Sequence, residues 1–168
     1  MKIECETIGV VHSPFQQAEG TPIQPARATG SVGTVELDAR YVEGLADLAG
    51  FSHIILLTYL HRAKPYSLKV VPYLDTVPRG LFATRAPSRP NPIGISIVKL
   101  LGIEGHVLTV EGLDLLDGTP VLDIKPYFGE FDRREDVRCG WLEAVREREV
   151  VADNRFAAAG SEENCSSK

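Results

Sequence analysis

Two arginines on a proline-braced loop have the residue types and spacing to bind an anion in fixed geometry. The stretch Arg79 to Ser96 reads Arg-Gly-Leu-Phe-Ala-Thr-Arg-Ala-Pro-Ser-Arg-Pro-Asn-Pro-Ile-Gly-Ile-Ser. Pro87, Pro90 and Pro92 restrict the backbone around Arg89, so the loop has little entropy to lose when a ligand binds. Guanidinium forks held in that way suit carboxylates and phosphates. Asn91 and Ser96 add hydrogen-bonding groups. The competing reading is a rigid connector whose arginines pair with nearby acids.

Three further segments carry polar groups at turns. Leu113-Asp-Leu-Leu-Asp-Gly-Thr-Pro-Val-Leu-Asp-Ile-Lys-Pro-Tyr127 places Asp114 and Asp117 beside an Asp-Gly turn. These aspartates either shape the turn or hold an amine, a ribose or an adenine edge at a strand end. Pro22-Ile23-Gln24-Pro25 pins a glutamine between prolines. His61-Arg62 follows a strongly apolar strand, at the position where a barrel rim opens into a pocket. His12, His53 and His106 read as ordinary packed or surface histidines. No third ligand stands at useful spacing from any histidine pair, so no metal site is expected. Cys5, Cys139 and Cys165 form no C-x-x-C pair, which argues against zinc and against a disulfide framework.

The net charge is −5 over 168 residues, unfavourable at first sight for a nucleic-acid partner. Its distribution is uneven. From His61 to Leu100 stand Arg62, Lys64, Lys69, Arg79, Arg85, Arg89 and Lys99 against the single acid Asp75. That segment carries +6 and the remainder −11. A basic segment in an acidic chain can form a local anion site without general stickiness. No apolar run approaches the roughly 20 residues of a membrane span, and the first residues lack a signal-peptide core. A soluble, cytoplasmic protein with no membrane partner is expected.

These groups must be positioned by short elements. Strands are predicted over Glu6–Val11, Ser31–Leu37, Phe51–Leu60, Leu68–Tyr73, Gly80–Thr84 and Val121–Tyr127, the last with Leu122 and Ile124 facing inward. Gly94–Leu101 and His106–Leu113 predict a hairpin turned by Gly102-Ile-Glu-Gly105. Asp38 is expected to cap a short helix over Ala39–Leu48. A final helix is expected over Asp136–Val150, packing through Trp141 and Val145. Many short strands and one or two short helices predict a mainly β fold, a closed or nearly closed β-barrel. One domain is expected over residues 1–150, with 151–168 a frayed tail. No G-x-G-x-x-G or P-loop pattern is present, so neither of those nucleotide folds is expected.

Taken together and in order, Ile8-Gly-Val-Val-His-Ser-Pro14, Pro22-Ile-Gln-Pro25, the Gly-Phe-Ser-His that ends at His53, Gly80–Ser96 and Leu113–Tyr127 resemble the TsaA/TrmO-like family. The resemblance covers Glu6 to Phe131. It implies a β-barrel methyltransferase that works as a homodimer, uses S-adenosyl-L-methionine and acts on tRNA. The implied reaction is N6-methylation of N6-threonylcarbamoyladenosine beside the anticodon. Carried onto this chain, the implied cofactor contacts are Pro22, Ile23, Gln24, His61, Arg62, Arg85, Ile95, Leu113, Asp114, Leu115 and Leu116. The family pattern usually has Arg at position 23 and Gln at position 62. Some members carry a further C-terminal domain.

On that reading, Asp114 or Asp117 takes the proton from the acceptor nitrogen. Arg85 or Arg89 holds the threonyl carboxylate or a backbone phosphate. Three other readings fit the residues: a non-catalytic RNA-binding β-domain, a methyltransferase with a different RNA or small-molecule acceptor, or a purely structural β-domain whose motifs serve turns.

Overall fold

The computed structural model describes residues 1–22, 28, 30–145 and 152–156. Eight strands form among the described residues: β1 (Gly9–His12), β2 (Val32–Leu37), β3 (His53–Tyr59), β4 (Lys69–Val70), β5 (Arg79–Gly80), β6 (Ile93–Glu104), β7 (Val107–Glu111) and β8 (Thr119–Pro126). Six of them close an antiparallel barrel in the order β1-β2-β7-β6-β3-β8, and β4 and β5 form a separate two-stranded sheet. The mainly β barrel expected from the sequence is the fold observed.

Alternation explains the barrel wall. In β3, Ile54, Leu56 and Thr58 point inward and are fully buried. In β6, Ser96 and Val98 point inward, while Ile93, Ile95 and Ile97 form an exposed row outside. Val11, Val35, Leu108, Val110 and Val121 complete the interior. A second, smaller cluster of Val70, Leu81, Ala86 and Phe156, with Tyr73 against it, lies under the two-stranded sheet.

Several elements differ from expectation, each for a local reason. Gly80–Thr84 is not a strand: β5 ends at Gly80 and a 3-10 turn follows over Leu81–Ala83. Of these three residues only Leu81 has a buried side chain, so a single turn suffices. Ala39–Leu45 is a 3-10 helix capped by the Asp38 carboxylate on the Arg40 N–H, and it does not continue to Leu48 as one helix. Asp47, in the left-handed region at φ 66°, separates it from a second turn over Leu48–Gly50. The β6–β7 hairpin turns at Gly105-His106 and not over Gly102–Gly105. Gly105, at φ 59°, supplies the positive angle that a two-residue turn favours at its first position.

In β8 the inward pair is Val121 and Ile124, not Leu122 and Ile124. Leu57 pairs with Asp123 and Thr58 with Val121, so Leu122 is an extra residue and the alternation restarts after it. Residues 136–139 are not helical. Every residue from Gly129 to Gly140 is exposed, so a helix there has no face to bury. A four-residue α1 (Gly129–Asp132) and a 3-10 helix over Gly140–Val145 stand instead. The remainder of the expected helix, residues 146–150, and the terminal residues 157–168 lie outside the described residues.

Ala152–Phe156 pack against the body of the protein. Gly20 N–H donates to the Ala152 carbonyl at 2.9 Å and Ala152 N–H to that of Thr21 at 3.1 Å. Arg155 donates to the Pro72 carbonyl at 3.1 Å, and the Phe156 ring meets Tyr73 edge to face at 5.2 Å.

Candidate active site

A cavity of about 790 Å³ opens between the barrel and the smaller cluster. β6 supplies Ile93, Gly94, Ile95 and Ser96, and the chain leaving β3 supplies Leu60, His61 and Arg62. The proline-braced loop supplies Thr84, Arg85, Ala86, Pro87 and Arg89, and the segment before β8 supplies Asp114, Leu115 and Leu116. The size falls within the range of pockets for small organic ligands.

Asp114 is fixed by its neighbours in sequence. Leu113 and Leu115 are both buried in the barrel interior, anchoring the backbone on either side. The carboxyl group enters the cavity wall, where Ser96 Oγ donates to Oδ1 at 2.6 Å. Burial raises the Asp114 pKa to about 6, against the opposing effects of the Ser96 hydrogen bond and the Arg85 charge. A carboxyl group that titrates near neutrality in a cavity can accept and release a proton under cellular conditions.

Gly94 brings β6 close to β3. A Cβ there would stand 2.5 Å from Thr58 Oγ1 and 2.9 Å from Leu60 Cδ2, so only glycine fits. The Thr58 hydroxyl has no hydrogen-bond partner among the described residues, although it is fully buried beneath the cavity wall.

The arginines divide in their contacts. Arg85 lines the cavity, and its charge reaches Asp114. Arg89 also lines the cavity, but its guanidinium donates to the carbonyls of Thr84 at 3.0 Å and Leu81 at 3.4 Å, bracing the loop. Arg62 donates to the Gln16 carbonyl at 2.6 Å and ties the first long loop to the rim. His61 has its pKa lowered by burial and by the Arg62 charge, which keeps the ring neutral.

Of the residues singled out in the sequence, Pro22, His61, Arg62, Arg85, Arg89, Ile95, Asp114, Leu115 and Leu116 line this one cavity. Leu113 does not; it is fully buried in the barrel, and its carbonyl accepts from Ser31 Oγ at 2.6 Å. Asp117 does not line it either. Its carboxylate accepts the Ser13 N–H at 3.1 Å, with His12 at 3.8 Å, and that backbone hydrogen bond leads the effects holding its pKa down. Asp117 thus staples the chain after β1 to the turn before β8. Ile23 and Gln24 lie outside the described residues.

The cavity also has walls that the motifs did not reveal. Tyr73, Phe82, Trp141, Leu142, Ala152 and Phe156 line it. Tyr73 has its pKa pushed up to about 12 by burial, and its hydroxyl donates to the Asp153 carbonyl at 3.2 Å. No group of three or more His, Cys, Asp or Glu side chains suited to a metal ion occurs among the described residues. Nor does any helix among them have the length and apolarity to cross a membrane.

Residues 10–133 match the model of the tRNA-methyltransferase O N-terminal domain family. A probable S-adenosyl-L-methionine-binding protein of Pyrococcus abyssi is 54% identical over 136 residues, covering 81% of this chain and 74% of the relative. The tRNA (adenine(37)-N6)-methyltransferase of Homo sapiens is 37% identical over 139 residues, which are 79% of this chain and 32% of the human protein. The crystal structure of TrmO from Pseudomonas aeruginosa superimposes with a TM-score of 0.72 at 44% identity, covering 83% of this chain and 62% of that one. The chain therefore belongs to the TrmO N-terminal domain family.

Proposed function

We propose that this chain is an S-adenosyl-L-methionine-dependent tRNA methyltransferase whose acceptor is N6 of N6-threonylcarbamoyladenosine beside the anticodon. Family membership and relatives named for the cofactor and for tRNA adenine methylation support the coarser statement. The observation that carries the chemistry is the meeting of Asp114, Ser96 and Arg85 in the wall of one cavity.

The cavity suits the cofactor in its donor set. Leu60, Ile95, Leu115 and Leu116 offer apolar contact, while Arg62, Arg85 and the neutral His61 offer hydrogen-bond donors to a ribose and a carboxylate. When bound, S-adenosyl-L-methionine supplies an electrophilic methyl group on a positively charged sulfur. The acceptor nitrogen lies between a purine and a carbamoyl group, so it is a weak nucleophile until its proton leaves. Asp114 takes that proton as the nitrogen gains the methyl group. Ser96 holds the carboxylate in place and stabilises its charged form. Arg85 holds the threonyl carboxylate. The apolar walls exclude water from the reacting groups.

The exposed row Ile93, Ile95 and Ile97 supports a homodimer, because a second copy would cover it. Ile93 and Ile95 belong both to that row and to the cavity wall, which supports a site at the edge of such an interface. A cytoplasmic location accords with a tRNA substrate.

The test is incubation of the purified protein with labelled S-adenosyl-L-methionine and tRNA that carries or lacks the threonylcarbamoyl group. Label should enter only the modified tRNA. Equal label on unmodified tRNA refutes the acceptor assignment. Failure of the cofactor to raise the melting temperature refutes the enzyme, since a ligand selective for the folded state must stabilise it.

A further inference from the structure

We propose that Phe82 and Trp141 form a stacking platform for unpaired bases of an RNA loop, an inference that rests on the RNA-directed reading of the cavity. Both rings line the cavity, and both carry a guanidinium over one face. Arg89 lies 5.6 Å from the Phe82 ring centroid and Arg79 lies 5.4 Å from that of Trp141.

The platform is rigid. Trp141 Nε1–H donates to the Ala83 carbonyl at 2.7 Å, joining the indole to the residue next to Phe82. Arg79 is held by Asp75 through Nε at 2.9 Å and Nη2 at 2.7 Å. Asp75 accepts in turn the N–H of Thr76 at 2.8 Å and of Val77 at 3.3 Å. Arg89 is tied to the carbonyls of Thr84 and Leu81. Rings immobilised before binding lose little entropy when a base stacks on them.

An RNA base, rather than the cofactor's adenine, is the better occupant. Phe82 is 73% exposed, on the solvent side of the cavity. Arg85 and Arg89 stand in the same cavity wall as the two rings, and their charge complements a phosphate backbone. Proteins that bind unpaired nucleotides combine aromatic faces and arginines in this way, because every base has a π-face to stack. Trp141 stands outside residues 10–133, so the indole side of the platform lies beyond the matched family domain, while Phe82 lies within it.

Trp141 is the only tryptophan of the chain, so its fluorescence reports on the platform alone. The full chain is titrated with an RNA hairpin carrying an adenosine in an unpaired loop, with the same stem closed as a blunt duplex, and with S-adenosyl-L-methionine by itself. The hairpin should quench the emission, and the duplex and the cofactor should not. Read by anisotropy of an end-labelled hairpin, since the Trp141 variants carry no tryptophan, Phe82→Ala and Trp141→Leu should each weaken hairpin binding roughly 5- to 150-fold, the loss of one stacked base. Trp141→Phe should retain most of the affinity. A cooperative thermal unfolding transition followed by circular dichroism should persist in all three variants, showing that they fold.

Wild-type hairpin affinity in Trp141→Leu overturns the proposal. So does full quenching by the cofactor alone, which would make the ring a cofactor contact. A change of oligomeric state in Phe82→Ala with unaltered hairpin binding would assign that ring to a second copy and overturn its place here. A protein that binds the hairpin through both rings yet transfers no methyl group to tRNA carrying the threonylcarbamoyl group upholds the platform and refutes the proposed methyl transfer.

Discussion

Removing the Ser96 hydroxyl should move the acidic limb of the methyl-transfer pH profile upward. The Ser96 Oγ to Asp114 Oδ1 contact, at 2.6 Å, has the length of a hydrogen bond to a charged acceptor. Such bonds contribute about 1.5–3 kcal/mol to the charged form, and one pH unit corresponds to about 1.36 kcal/mol. Asp114 titrates at about 6 with the bond in place. The carboxylate is the proton-accepting form, so the rate falls as pH drops through this value. In Ser96→Ala the limb should rise by about 1–2 pH units. A shift of about 1.5 units makes the rate roughly fourfold lower at pH 7 and nearly equal to wild type at pH 9. The assay is single-turnover transfer of label from S-adenosyl-L-methionine to modified tRNA between pH 5 and 9, with carbon NMR of the Asp114 carboxyl as a direct titration. Ser96→Thr, which keeps a hydroxyl, should leave the limb near its original place. An unmoved limb in Ser96→Ala, with the carboxyl signal shifted, would show that Asp114 is not the base. An unmoved carboxyl signal would show that the hydroxyl does not hold it.

Asp114→Asn should abolish transfer and yet stabilise the protein at pH 8. The native pKa is raised from 3.8 to about 6, so the folded state is favoured by protonation below pH 3.8 and loses that advantage as pH rises through 6. The neutral amide removes a cost on the order of 3 kcal/mol, visible as a higher melting temperature at pH 8 that vanishes near pH 3. Arg85→Ala should lose methyl transfer without unfolding, and Arg85→Lys should fail as well if a two-pronged contact to a carboxylate is required; full activity in Arg85→Ala removes Arg85 from the site, and full activity in Arg85→Lys alone refutes the two-pronged contact. Thr58→Val should raise stability by about 1–2 kcal/mol in denaturant titration, because it replaces a buried hydroxyl that has no partner. Gly94→Ala should lower stability by about 1–3 kcal/mol, since the added methyl meets Thr58 and Leu60 inside contact distance.

The barrel was legible because its strands alternate apolar and polar residues, as in Ile54, Leu56 and Thr58 against their outward neighbours. Alternation has no means of announcing an extra residue. Leu122 therefore reads as inward from sequence, whereas pairing across the sheet makes it the bulge. The cavity was legible where short motifs build it, at His61-Arg62, at the Arg85 loop and around Asp114. Two aspartates three residues apart looked alike in sequence. Their roles diverge through partners from distant segments: Ser96 for Asp114, Ser13 for Asp117. The wall from Trp141 and Ala152–Phe156 depends wholly on long-range contacts, and no local pattern marks it. That Trp141 is the lone tryptophan, expected from the sequence as a packing residue, was the one available signal.

The seam that closes the barrel joins Gly9–Val11 to Thr119–Val121, segments more than a hundred positions apart. During synthesis the first strand must wait, one edge unsatisfied, until Val121 has left the ribosome. Non-local closure of this kind makes folding slow and late. Because Asp114 and Leu116 immediately precede the last strand to arrive, the barrel side of the cavity is assembled as the cylinder closes, and Trp141, Ala152 and Phe156 complete it afterwards.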